Sequence, residues 1–351
     1  MSAADYDHRL PVLVIYTGGT IGMQGSDRGL VAAGDFGSRM AEALSVLPPN
    51  RQSNLPEYVL WESSDPIDSS SATPGDWAAL AGLIARQYQD YAGFVILHGT
   101  DTLAWCASSL AFQLQGLSKP VIVTGSQKPL GAAYSDASAN LEAALLFASR
   151  PELREVCVSF GGRLMRGCRA RKWYTLDALG FESPNWPLLG EMVDHVPVVY
   201  AARCWQPQGA PRFELGSGPA PEVARLVLWP GIRAQDVARW LDDDHIRGIV
   251  IECWGSGNLP EDDALLGVLA RLGAEGKVMA AISQCPFGAV HLGAYATGQT
   301  LKEIGILSCD DMTPEAAHCK LAHLLAQGLS RDELRHRFLT PLVGERGAFT
   351  A

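Results

Sequence analysis

Two segments rich in threonine and glycine carry the groups best suited to chemistry in this 351-residue chain: Thr17-Gly18-Gly19-Thr20-Ile21-Gly22 and His98-Gly99-Thr100-Asp101-Thr102. A threonine hydroxyl set among glycines can attack a carbonyl carbon. The glycines let the backbone turn tightly and leave N–H groups free to receive a developing oxyanion. Thr20 stands where such a nucleophile would. The competing use of a glycine-rich turn is phosphate binding, yet GGTIG satisfies neither the GxGxxG dinucleotide pattern nor the GxxxxGK[ST] P-loop. In the second segment Thr and Asp ahead of a helix are also ordinary N-caps. A third segment, Pro66-Ile67-Asp68-Ser69-Ser70, is equally two-sided, because Asp and Ser close turns through their own backbone. Lys172 follows Arg163, Arg166, Arg169 and Arg171, and on its own reads as a surface amine after a solvated basic loop.

The elements that must position these groups follow from hydrophobic patterning. Short apolar runs at Val12–Tyr16, Tyr58–Trp61, Phe94–Leu97, Val121–Val123 and Val156–Phe160 predict strands, and helical periodicity predicts helices over 76–90, 102–116 and 136–149. That alternation is the βαβ signature of a parallel sheet covered on both faces, and in such a sheet ligands bind at the C-terminal ends of the strands. Both threonine-glycine segments directly follow a predicted strand. Residues 206–221, QPQGAPRFELGSGPAP, hold four prolines and three glycines and predict a linker. Domains of 1–205 and 222–351 result. The second carries predicted strands Leu226–Trp229, Gly248–Cys253 and Val278–Ser283 and helices at about 233–242, 261–273, 314–328 and 331–338, with Thr313 as N-cap and Pro314 at the first helical position. The expected fold class is α/β: a larger N-terminal domain with a mainly parallel, flavodoxin- or Rossmann-like sheet, plus a smaller C-terminal α/β domain.

Composition narrows the function classes. An apolar share of 47% with 19% charged residues is that of a globular protein, and no run approaches the roughly 18 apolar residues of a membrane span. The formal net charge of −10 argues against nucleic acid or an anionic membrane as a partner. The eight cysteines form no CxxC pair and no ligand cluster with histidine, so they are expected as reduced, mostly buried thiols. The first residues lack a signal-peptide pattern, which makes the cytoplasm the expected compartment.

Taken together, TGGTIGM (17–23), IDSS (67–70), HGTDT (98–102), PVIVTGSQ (120–127), SDxxxNL (135–141), RxxK (169–172) and DMTPEA (311–316) resemble the segments of bacterial-type asparaginases. YTGGTIGM followed by GFVILHGTDT is most similar to the cytoplasmic type I branch. The resemblance implies that Thr20 attacks the side-chain carbonyl of asparagine, that ammonia leaves, and that water hydrolyses the resulting ester. It implies a second catalytic group of Thr100, Asp101 and Lys172, a substrate clamp of Asp68, Ser69, Thr100 and Asp101, and no metal or organic cofactor. It further implies a homotetramer built as a dimer of dimers, with Asn258 matching a residue that completes the neighbouring subunit's site; Asn258 reads equally as a turn residue.

The chain departs from the family pattern at two places. Many members carry a tyrosine about ten residues after the first threonine, where this chain has Leu30, a side chain that cannot relay a proton. Tyr295, in the glycine-rich GAYATG, is a candidate substitute, with a packing role as the alternative. Type I members also carry an asparagine-responsive site. Cys285 matches it, whereas Glu252 stands where an arginine is expected, so asparagine cooperativity is expected to be weak or absent. The rival readings are a glutaminase-asparaginase, a non-catalytic amino-acid sensor, and the related subunit of a tRNA-dependent amidotransferase. The last is disfavoured because that subunit normally bears an extra N-terminal domain, and here the first motif-bearing strand begins near residue 12.

Overall fold

The computed structural model describes residues 9–27, 29–32, 34–216, 221–293 and 296–347. The chain divides into two compact units, residues 1–215 and 216–351. The first is built on an eight-stranded sheet whose strands, in chain order, are β1 (Val12–Gly18), β2 (Tyr58–Ile67), β3 (Gly93–Leu97), β4 (Val121–Thr124), β5 (Val156–Phe160), β6 (Arg163–Arg166), β7 (Gly190–Val193) and β8 (Val196–Val199). Their spatial order is β2-β1-β3-β4-β5-β6-β7-β8. β2, β1, β3, β4 and β5 are mutually parallel, and β6, β7 and β8 close the far edge as antiparallel ribbons.

Every residue of β3, β4 and β5 is buried, as strands covered by helices on both faces require. The edge strand β2 instead mixes exposed and half-buried residues and tolerates Pro66, which lacks the N–H that an interior ladder needs. The β2-β1-β3-β4-β5 order is that of flavodoxin-like sheets, and its reversal of direction falls between β1 and β3, where such sheets open a ligand crevice.

The second unit carries an all-parallel sheet of β9 (Glu222–Val227), β10 (Ile246–Cys253), β11 (Val278–Ser283) and β12 (Leu307–Ser308), in that spatial order. β9 begins at Glu222 and ends at Val227, upstream of the expected Leu226–Trp229: buried Val223, Ala224 and Leu226 belong to the strand, while Trp229 is exposed. The helix Pro314–Leu325 starts as the sequence predicts, with Thr313 Oγ1 accepting Ala316 N–H at 3.1 Å. In the stretch 206–221, Arg212–Phe213 pairs antiparallel with Leu114–Gln115 and Glu214 N–H donates to Gln113 O at 2.8 Å.

That helix carries a fully buried ion pair. Lys320 and Glu345 have side chains with 0% exposure, and Lys320 Nζ donates to the Glu345 carboxylate and to the carbonyls of Phe338 (2.8 Å) and Thr340 (2.7 Å). Glu345 also accepts the N–H groups of Leu342 and Val343, so one carboxylate ties the C-terminal segment to the helix. Removing one partner of such a pair strands a buried charge. Glu345→Ala is therefore expected to lower unfolding free energy by about 3–5 kcal/mol, while the paired replacement Lys320→Met with Glu345→Leu recovers most of the loss. Urea unfolding followed by far-ultraviolet circular dichroism tests both, and a Glu345→Ala midpoint equal to wild type would contradict the assignment.

Candidate active site

Five of the expected site residues, Thr20, Asp68, Ser69, Thr100 and Asp101, come from loops at the C-terminal ends of β1, β2 and β3. β1 lies directly between β2 and β3 and pairs parallel with both, with Tyr16 opposite Leu97, the last residue of β3, so the loops that follow leave the same edge of the sheet. They are pressed together. Gly19, with φ of 86°, lies so close to the next loop that a Cβ on it would fall 2.4 Å from Gly99 Cα. A Cβ on Gly99 would in turn fall 2.4 Å from Ser69 Oγ. Only glycine permits this approach. Thr20 and Thr100 each follow directly on one of these touching glycines, which brings the two threonine-bearing segments into one place.

Hydrogen bonds fasten the three loops. Thr17 Oγ1 donates to Leu97 O at 2.9 Å, and Thr102 Oγ1 donates to Ser69 O at 2.7 Å. Thr102 stands at the N-cap of helix Leu103–Gln113 but makes no side-chain cap bond, so the capping alternative for this hydroxyl gives way to a tie between loops. Asp68 does realise the turn alternative: its Oδ1 accepts Ser70 N–H at 3.0 Å and caps the short turn Ser69–Ser71. Ser69 is buried. His98 is buried too, with Nδ1 2.8 Å from Gly99 O; that carbonyl can only accept, which assigns the proton to Nδ1. Burial pushes its imidazole below its usual range, so His98 is neutral and structural.

Lys172 joins this group from a two-stranded ribbon in which Arg171–Lys172 pairs antiparallel with Phe181–Glu182. Its Nζ donates to Thr100 Oγ1 at 2.9 Å and to Asp101 Oδ1 at 2.7 Å. The side chain is 23% exposed, and that of Asp101 60%. The basic stretch ahead of it is not a solvated loop: Arg163–Arg166 is strand β6, and Arg166 and Arg169 are 1% exposed. Arg166 Nε donates to Glu155 Oε2 at 2.6 Å, its Nη2 donates to Arg203 O at 3.0 Å, and both arginines lie over the Trp186 ring. A carboxylate, a carbonyl and an aromatic face together allow the guanidinium of Arg166 to leave water.

Thr20 opens a single turn of 3₁₀ helix, Thr20–Gly22, and is half-buried. Among the described residues its hydroxyl has no hydrogen-bond partner, which leaves it open to a substrate. Two residues of the SDxxxNL segment, to which sequence gave no role, brace the adjoining loop: Asp136 accepts the N–H groups of Gln127 and Lys128, and Asn140 bridges Gly125 O and Gly161 N. Their spacing of four on one helix was the available sign. Leu30 lies in a small hairpin, Met23–Ser26 with Gly29–Ala32, opposite Gly25 and 49% exposed. Tyr295 lies outside the described residues.

Residues 11–204 match the family described as Asparaginase, N-terminal, and residues 222–338 match the Glutaminase/Asparaginase C-terminal domain. The chain belongs to the asparaginase family. It is 37% identical over 334 residues to L-asparaginase 1 of Escherichia coli, covering 95% of this chain and 97% of that one. It is also 37% identical over 356 residues to a 60 kDa lysophospholipase of Mus musculus, covering 95% of this chain and 62% of that longer protein. Among solved structures, L-asparaginase I from Vibrio cholerae superposes with a TM-score of 0.86 at 37% identity, covering 97% of this chain and 99% of that one. The type I resemblance and the α/β fold of an asparaginase are both upheld by these likenesses.

In the second unit Asn258 closes the turn after β10, exchanging backbone bonds with Trp254 as the turn reading expects. Glu252 does not present a bare carboxylate: its Oε1 accepts Arg225 Nε at 2.9 Å, from the adjacent strand β9. Cys285 is the exposed thiol, and the other seven cysteines are buried. Among the described residues no helix is long and apolar enough to cross a membrane, and no group of three His, Cys, Asp or Glu is arranged to hold a metal ion.

Proposed function

We propose that the chain hydrolyses the side-chain amide of L-asparagine to L-aspartate and ammonia through a threonyl acyl-enzyme. The observation that carries this reading is the Thr100–Lys172–Asp101 hydrogen-bonded group at the sheet edge where Gly19 meets Gly99. Thr20 Oγ1 forms the new C–O bond to the carbonyl carbon, and its proton passes by way of Thr100 toward Nζ of Lys172. The C–N bond then breaks, and the departing amine takes up that proton to leave as ammonia. Water, deprotonated by the same group, cleaves the ester and frees Thr20. Asp101 stabilises Lys172 whenever it carries charge. Asp68, Ser69, Thr100 and Asp101 receive the α-ammonium and α-carboxylate ends of the substrate.

The same reading places the enzyme in the cytoplasm, as a homotetramer in which Asn258 serves a neighbouring site. It divides the chain into domains 1–205 and 222–351 with 206–221 between them. Tyr295 is its candidate for the proton relay that Leu30 cannot provide. Support comes from the relatives named above and from the convergence of the three loops.

A coupled assay for ammonia and aspartate on the wild-type protein tests it. Asparagine is expected to give both products in equal amounts. Glutamine is one methylene longer, a difference that a pocket distinguishes by only about 1–3 kcal/mol, so comparable turnover of both would widen the substrate class. Binding of asparagine without ammonia would replace the reading with that of an amino-acid sensor.

A further inference from the structure

The turn that carries Thr20 has little to hold it. It is one turn long, it starts from Gly19 in a conformation that no other residue adopts easily, and Gly22 ends it. Within the turn the backbone bond Gly22 N–H to Gly19 O spans 3.1 Å. From outside, Leu130 N–H donates to Ile21 O at 3.0 Å, and Arg39 Nη2 donates to Gly22 O at 2.6 Å. The phenol of Tyr16 closes the underside, since a Cβ on Gly22 would fall 1.9 Å from its oxygen.

Arg39 is the unusual member of this set. It comes from helix Phe36–Ser45, its guanidinium lies 5.6 Å above the Phe36 ring, and that ring stacks on Tyr16 at 4.2 Å. Among the described residues its Nε and Nη1 are buried without hydrogen-bond partners and it forms no ion pair. Arg39 as a whole is half-buried, but these two nitrogens are shielded from water, and guanidinium N–H groups so shielded normally meet a carboxylate or several acceptors. Here its one recorded acceptor is the carbonyl two residues beyond Thr20. An apolar side chain would fill the same space at lower desolvation cost, so packing alone does not account for it.

We propose that Arg39 is a positioning residue for the nucleophile: its charged bond to Gly22 O fixes the Thr20–Gly22 turn, and with it the direction of the Thr20 hydroxyl. The proposal rests on Thr20 being the nucleophile. Because a displacement of about 1 Å at a reacting group can cost about a hundredfold in rate, a loosened turn acts on kcat before it acts on binding.

The test compares wild type, Thr20→Ala, Arg39→Met and Arg39→Lys in asparagine hydrolysis, with melting temperatures measured in parallel. Arg39→Met is expected to lower kcat at least about tenfold with KM within about threefold, and Arg39→Lys, which keeps one charged donor, to lie between it and wild type. A kcat for Arg39→Met within twofold of wild type overturns the proposal, and so does a loss carried by KM alone. If Arg39→Met does not fold, Arg39→Lys decides: reduced kcat at an unchanged melting temperature supports the assignment, and wild-type kcat refutes it. Full turnover by Thr20→Ala would remove the underlying reading, whereas an inactive Thr20→Ala beside a fully active Arg39→Met would remove only this inference.

Discussion

Thr20→Ala is expected to lower kcat for asparagine by about 10⁴- to 10⁶-fold while asparagine binds within about threefold of its wild-type affinity. The expectation combines two features of the site. The Thr20 hydroxyl is half-buried and unbonded among the described residues, so its loss breaks no internal contact and leaves the turn to its backbone bonds and to Arg39. The groups proposed to hold the substrate's amino-acid end, Asp68, Ser69 and Asp101, sit on other loops and are untouched. The residual rate comes from the remaining binding and oxyanion interactions, which by themselves sustain some catalysis. Isothermal titration with asparagine and a discontinuous ammonia assay on the same preparation measure the two halves of the expectation. Turnover that survives in Thr20→Ala and disappears in Thr100→Ala would move the covalent step to the second hydroxyl, since both threonines follow the touching glycines.

The parts of this structure that were legible in sequence are those fixed by local pattern. Val12–Tyr16 and Phe94–Leu97 are buried through their length, and an uninterrupted apolar run next to a glycine-rich loop has few other interpretations. Strand β6 was not legible, because Arg-Leu-Met-Arg shows no apolar run, and its arginine becomes buried only through Glu155 and Trp186, partners that periodicity does not connect. Helix Phe36–Ser45 went unpredicted although Phe36, Met40 and Leu44 repeat at intervals of four, the spacing of a single buried helical face. At the site, local reasoning favoured capping over chemistry for the segments of Asp68 and Thr102, and the structure uses Asp68 as a cap and Thr102 as a tie. The meeting of Lys172 with Thr100 and Asp101 crosses 71 to 72 residues of chain. No spacing rule reaches that far. It entered the reading only through likeness to a family.

Lys172→Met is expected to lower kcat by about 10²- to 10⁴-fold, the range contributed by a positioned proton-transfer group. Its fold should be nearly unaffected. The Lys172–Asp101 pair is reached by solvent, with side chains 23% and 60% exposed, and exposed pairs contribute about 0–1 kcal/mol to stability. A large kinetic loss at an unchanged unfolding midpoint therefore separates a chemical role from a structural one, a distinction that the buried pair Lys320–Glu345 would not allow. Lys172→Arg then divides the chemistry further. A guanidinium keeps the positive charge beside Asp101 but does not give up its proton near neutral pH, so it cannot act as base. If the lysine moves protons through Thr100 Oγ1, which it meets at 2.9 Å, Lys172→Arg remains as impaired as Lys172→Met. If it only supplies charge, Lys172→Arg recovers most of the rate, and the proton from Thr20 must leave by another route. Single-turnover rates of both variants, set against Thr100→Val, decide between these outcomes, because a relay predicts that removing the hydroxyl and removing the amine are not additive.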